Sequence, residues 1–423
     1  MFGIRGMLFL LLLTIASCLP KAGGKTNWHS AHADSRNSDY SVVRGSKNIT
    51  LAWEREFDGT INLGATNDTF GKVYVTTTGE GCHLYALDRK TGETVWCSAE
   101  IGKLAVASGA LVDRQGNVYV ADDKYMFAFD NAGKLNWKMP ILGFPLSAQF
   151  TPSGRLLFIT HIGVIYAMER ETGRNVIEPY ELTEGNSTRL AEIDPLACMR
   201  GTKNCPCANT PAIDPKTGQF YFTYWEPGAA QADLISMRYS ETPSPHVSRM
   251  WRNASLPGGS ASSPDISFDG KKIYVNDNHN GLHAIDAKSG KNIWRRNIGY
   301  ATGGSPSTAP DGTIIPAGGA RAPLICIKDA GDVALVQWRM DSVFNRGIAT
   351  QTRGGLIYAT INDRNRGKLF NSLMVIEASS GRVIDREELP GVTVFTVGTT
   401  VGPEGNVYVP AFNGKLFAFK PVH

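Results

Sequence analysis

A short strand pattern that returns eight times constrains this chain more than any other feature. Gly71–Val75, Gly116–Val120, Gly154–Phe158, Gly218–Phe222, Lys272–Val275, Gly312–Ile315, Gly355–Tyr358 and Gly405–Val409 each carry an apolar or aromatic run, and all but one open on a glycine. Tyr74 and Tyr408 stand seven intervals apart, which gives about 48 residues per repeat. That is the length of a propeller blade built from four antiparallel strands. The pattern therefore predicts an all-β, eight-bladed β-propeller. A seven-bladed reading stays open if the weaker Gly154 or Gly312 repeat belongs to a neighbour.

A second signature follows several of these runs. Ala86–Trp96 reads A-x-D-x-x-T-G-x-x-x-W, and Ala284–Trp294 repeats it with Ser289 in the threonine place. Ala128–Trp137 is one residue shorter, and Ala167–Ile177 keeps the frame with Glu169 for Asp and Ile177 for Trp. Asp and Thr bond the backbone of a tight turn, glycine takes its positive-φ position, and a hairpin closes. The Trp then offers a large apolar plate on which one blade can dock against the next. The two ends of the chain fit one blade between them. The last repeat supplies Val394–Val401, Gly405–Val409 and Leu416–Lys420 but no outer strand, while Leu51-Ala52-Trp53 is a surplus one. The Trp53 segment is expected to complete the last blade and close the ring.

These residues resemble the PQQ-like propeller repeat of the quinoprotein alcohol dehydrogenase superfamily, over nearly the whole chain after Trp53. The resemblance implies the fold. It also implies two kinds of function, because the superfamily holds quinone-dependent dehydrogenases and cofactor-free members such as a lipoprotein of bacterial outer-membrane assembly. The dehydrogenases carry adjacent cysteines over the quinone, a Trp beneath it, calcium held by Glu, Asn and Asp, and an Asp base. This chain has no Cys-Cys dipeptide, only Cys205-Pro206-Cys207, and no such acidic set can be matched to its strands. The likeness is nearer to the cofactor-free members, with PQQ and calcium as the alternative.

The N-terminus reads as an address. Arg5 precedes the apolar run Met7–Ala16, and cleavage after Cys18 fits a secretory signal over residues 1–18. Ile15–Cys18 also resembles a lipobox, so a periplasmic lipoprotein anchored at Cys18 is the alternative. Residues 19–46 are expected to form a flexible segment, and 47–423 one propeller with an insertion at 178–208. Beyond Cys18 remain six cysteines, Cys82, Cys97, Cys198, Cys205, Cys207 and Cys326, an even set suited to disulfides outside the cytosol. Cys82 and Cys97 flank one hairpin almost symmetrically and are expected to pair. One cysteine of the insertion is expected to reach Cys326. Asn48, Asn67, Asn186 and Asn253 head glycosylation sequons.

The formal charge of +4 on 423 residues offers no nucleic-acid footprint, and past the leader no run approaches membrane-spanning length. The chain is read as a monomer. No GxSxG, HExxH, P-loop or CxxCH motif is present. The run Asn276–Gly281 opens like a calcium loop, but its twelfth position is Ala287, so it reads as a turn and no metal site is expected.

In a four-stranded blade the connections after strands two and four share one face. Residues 178–208 follow a fourth strand, and 224–231, 316–323 and 361–371 follow second strands, so the long loops gather on that face. They carry Tyr224, Trp225, Glu226, Arg321, Asp363, Arg364 and Arg366, an aromatic and Arg-rich set suited to binding. The sequence thus predicts a secreted scaffold that binds a small molecule or an extracytoplasmic polypeptide there. The alternative is an oxidoreductase or other secreted enzyme using the central pocket.

Overall fold

A computed structural model describes residues 28–189, 193–194, 197–198, 205–363 and 371–422. Eight antiparallel sheets surround one axis. Their inner strands are Thr66–Asn67, Leu111–Val112, Gln149–Phe150, Ala212–Ile213, Asp265–Ile266, Ser307–Thr308, Thr350–Thr352 and Thr400–Val401, defining blades 1 to 8 in chain order. The glycine-led runs are the second strands, buried on both faces between neighbouring blades, as in Val118–Ala121 and Val407–Pro410. In blade 8 the strand Ile49–Glu56 lies antiparallel to Lys415–Pro421, with Ile49 opposite Pro421 and Glu56 opposite Lys415. The first and last segments of the ring therefore share one sheet.

The turn signature locks blade to blade. Trp53 donates its indole N–H to the Arg89 carbonyl of blade 1 at 3.1 Å, and Trp96 to Asn131 of blade 2 at 3.2 Å. Trp137, Trp251 and Trp338 do the same to Arg170, Ala287 and Ala378. Trp294 reaches the Asp329 carboxylate instead. The turn glycine has a second reason to be glycine besides its positive φ. A Cβ on Gly92 would meet the Trp53 ring at 2.7 Å, and one on Gly133 the Trp96 ring at 2.6 Å. Trp53, Trp96, Trp137, Trp251 and Trp338 thus lie against the backbone of the next blade's hairpin.

The N-terminal segment departs from expectation. Residues 28–46, read from sequence as flexible, run round the inside of the ring with Trp28, Ser30, Asn37, Ser38 and Ser41 buried. The amide of the second inner-strand residue donates to this strap in six blades. Asn67 bonds Trp28 O, Val112 bonds His29 O, Ile213 bonds Ser35 O, Ile266 bonds Arg36 O, Thr308 bonds Ser38 O and Gln351 bonds Asp39 O. In blade 3 the Gln149 side chain reaches Asp34 O and Asn37 Oδ1. The reason is general: an inner strand is a sheet edge facing the axis, and its N–H groups need partners. The strap meets that need near the turns joining first to second strands, so it closes the axial channel at that end. It leaves beside blade 7, where Tyr40–Ser41 pairs parallel with Gln351 and Thr352.

Candidate functional site

The other end of the axis is open. A funnel with two lobes lies there, built from the connections after fourth and second strands. One lobe, about 500 Å³, is lined by Val106, Ala107, Phe144, His161, Trp225, Cys198, Cys205 and Pro206 among others. The other, about 350 Å³, is lined by small residues such as Gly303, Gly304, Gly318 and Gly319 together with Arg346, Phe395 and His32. Asn62, Leu63, Leu146, Asn209 and Ala261 border both lobes. With the strap closing the far end, this is a blind pocket entered from one face.

Its charged lining is sparse. Glu226 accepts a hydrogen bond from Thr183 Oγ1 at 3.0 Å. Arg346 lies over the Phe395 ring at 4.5 Å, and burial lowers its guanidinium from the ordinary value. His161 stacks on Phe144 with ring centroids 4.0 Å apart, and its Nδ1 accepts the Phe144 amide at 3.1 Å. Burial lowers its pKa to about 4, so it is a neutral imidazole in the funnel wall. His32 reaches the second lobe from the strap, its Nδ1 2.9 Å from the Asp39 carboxylate.

The residues expected from sequence divide. Trp225 and Glu226 line the funnel, although the Trp225 indole N–H is bonded to Ala229 O of its own loop at 2.7 Å. Tyr224 is buried, its hydroxyl accepting from the Asn186 amide at 3.1 Å, and it packs in the core instead of facing a ligand. Arg321 is exposed, one residue past Ala320, which lines the funnel. Asp363 ends a strand that pairs with Val343, while Arg364 and Arg366 lie outside the described residues, as does the leader with Cys18. His32, Asp39, His161 and Arg346 escaped the sequence reading. The first two belong to a segment with no periodicity, and the others sit in short connections that no motif marks.

The remaining expectations meet mixed outcomes. The insertion proper begins after Glu181, because Tyr180–Glu181 is the outer strand of blade 3 and Cys207–Ala208 pairs with Tyr224 and Trp225 in blade 4. Cys82 pairs with Cys97, Cα atoms 5.8 Å apart, and Cys198 with Cys205. Cys326 does not reach the insertion. It is buried within blade 6 while the insertion lies between blades 3 and 4, and both it and Cys207 are free thiols. Burial pushes these thiols up, Cys207 to about 11 and Cys326 to about 12. Asn67 and Asn186 are wholly buried and have no room for a glycan, Asn253 spends its amide on Gly290 O, and Asn48 is exposed. Asp277, in the run that opens like a calcium loop, instead accepts the His279 and Gly281 amides and is held by His283 and Arg295.

Axis, blades and blind funnel together define a PQQ-like eight-bladed propeller. The family model described as outer membrane protein assembly factor BamB matches residues 80–221 and 246–422, and the chain belongs to that family. A curated relative, Protein Rv3035 of Mycobacterium tuberculosis, is 29% identical over 406 residues, covering 95% of this chain and 97% of its own. Among solved structures, BamB from Moraxella catarrhalis superposes with a TM-score of 0.59 at 14% identity, covering 88% of this chain and all of that one. Quinohemoprotein alcohol dehydrogenase from Comamonas testosteroni gives 0.60 at 15% identity, covering 94% and 81%. At such identities these two likenesses speak of fold alone.

The funnel's donors do not fit a quinone held with calcium. Among the described residues a tricarboxylate would face a single lining guanidinium, Arg346, and no three His, Cys, Asp or Glu side chains gather to hold a cation. The disulfide in the wall joins Cys198 to Cys205 and not adjacent cysteines.

Proposed function

We propose that this protein is an extracytoplasmic binding propeller that captures a polypeptide segment or a small molecule in its axial funnel. One observation carries the reading: a largely apolar pocket closed by the strap at one end and open on the long-loop face at the other. Such a pocket can bury an inserted side chain or ligand and hold it by a few polar groups. The relative described as an assembly factor is consistent with a polypeptide as the occupant. The two disulfides support a site of action outside the cytosol, reached through the leader 1–18 or, alternatively, by an anchor at Cys18.

The test is to block the funnel without disturbing the core. Ala261 is exposed and borders both lobes, so Ala261→Trp should abolish capture on an array of peptides from exported proteins while leaving the melting temperature unchanged. Replacing Lys90, Lys216 and Lys288, exposed on the opposite face, by Ala should leave capture intact. The reverse pattern rejects the reading.

A further inference from the structure

The second lobe has a polar pair that no structural role uses up. Asp39 is buried to 2% exposure and His32 to 8%. Both come from the strap that floors the cavity, and the remaining exposure of His32 opens to the lobe it lines. Burial pushes the Asp39 carboxyl up, and His32 beside it pulls it back. A carboxylate accepting Nδ1–H fixes the ring tautomer and leaves the Nε2 lone pair free to receive a hydrogen bond. That nitrogen has no partner among the described residues.

Arg346, in the wall of the same lobe, is the complementary group. It is half-buried, its Nε has no hydrogen-bond partner, and among the described residues the guanidinium's one polar contact is a weak 3.4 Å approach of Nη1 to Ala320 O. No carboxylate among the described residues pairs with it. A partly desolvated guanidinium stacked on Phe395 and lacking a counter-ion is a receptor for a planar anion. The rest of the lobe's lining combines small residues such as Gly303 and Gly318, apolar surface from Phe395 and Ile348, and uncharged polar groups such as Asn209 and Ser263.

We infer that the second lobe binds a small organic carboxylate, its anionic end on Arg346 and an O–H or N–H at its other end donating to His32 Nε2. The inference rests on the funnel reading and names the ligand class of one lobe. It uses one cation, Arg346, and one acceptor, His32 Nε2, both in the lining of the lobe.

Three probes separate the two contacts: 4-hydroxybenzoate, benzoate without the hydroxyl, and 4-hydroxybenzamide without the charge. Titration calorimetry on the full chain should find 4-hydroxybenzoate about tenfold tighter than either of the others. Arg346→Gln should erase its advantage over the amide, and Asp39→Asn its advantage over benzoate. Nitrogen-15 spectra of histidine-labelled protein supply a readout that needs no ligand, and should show His32 protonated on Nδ1 and bare on Nε2. Equal affinities for the three probes, no binding of any, or a proton on Nε2 would overturn the inference. If Ala261→Trp still abolishes peptide capture in that case, the funnel reading stands without it.

Discussion

At the scale of single residues, the outer tryptophans show how one side chain does two jobs. Trp53 fills the gap between blades 8 and 1 and caps a backbone carbonyl, being 9% exposed. Trp53→Ala should cost about 3–5 kcal/mol in urea unfolding, since the rigid turn opposite cannot collapse into the void. Gly92→Ala should cost about 1–3 kcal/mol, because its Cβ would press on that ring from a backbone at φ +74°. His161 adds a pH dependence. Unfolded, it takes up a proton near its ordinary value of 6.5; folded, burial delays this to about 4. Its contribution is therefore full above pH 6.5 and declines as pH falls towards 4, by about 1.4 kcal/mol per unit. His161→Phe should flatten that part of the curve of urea midpoint against pH.

At the scale of elements, the strap matters most. Ala33, Asn37 and Asp39 take positive φ values of 69°, 62° and 46°. Such backbone costs energy locally and persists where the surroundings over-determine it, here through inner-strand amides from six blades. Deleting the chain up to Ser46 should lower the melting temperature by several degrees and turn the blind pocket into an open channel. A scan that leaves the midpoint unmoved would show that the strap only rests in the channel. The same deletion removes His32 and Asp39, so the carboxylate preference of the second lobe should vanish with it.

At the scale of the whole molecule, closure joins residues more than 350 positions apart: Trp53 lies opposite Ala418 in one sheet. A deletion through Trp53 should therefore destabilise more than one ending at Ser46, because it also strips the outer strand from blade 8 and exposes a sheet edge. Coincident melts for the two truncations would argue against that. The scaffold was legible in the chain itself, since every repeat spells its second strand and several add a turn signature and a docking Trp, all within about 48 residues. The fold class, the interlocking hairpins and the Cys82–Cys97 pair follow from such short-range patterns. Partners distant in sequence were not legible. Nothing in residues 28–46 announces a strap, because its hydrogen bonds are to seven blades that come later in the chain. The burial of Asn67 and Asn186, and the gathering of His32 and Arg346 in one lobe, likewise depend on where the ring brings each connection. Local turn and strand chemistry determined the blade, and only the closed ring decided which loops, and which stretch of the N-terminal segment, would face one another across the axis.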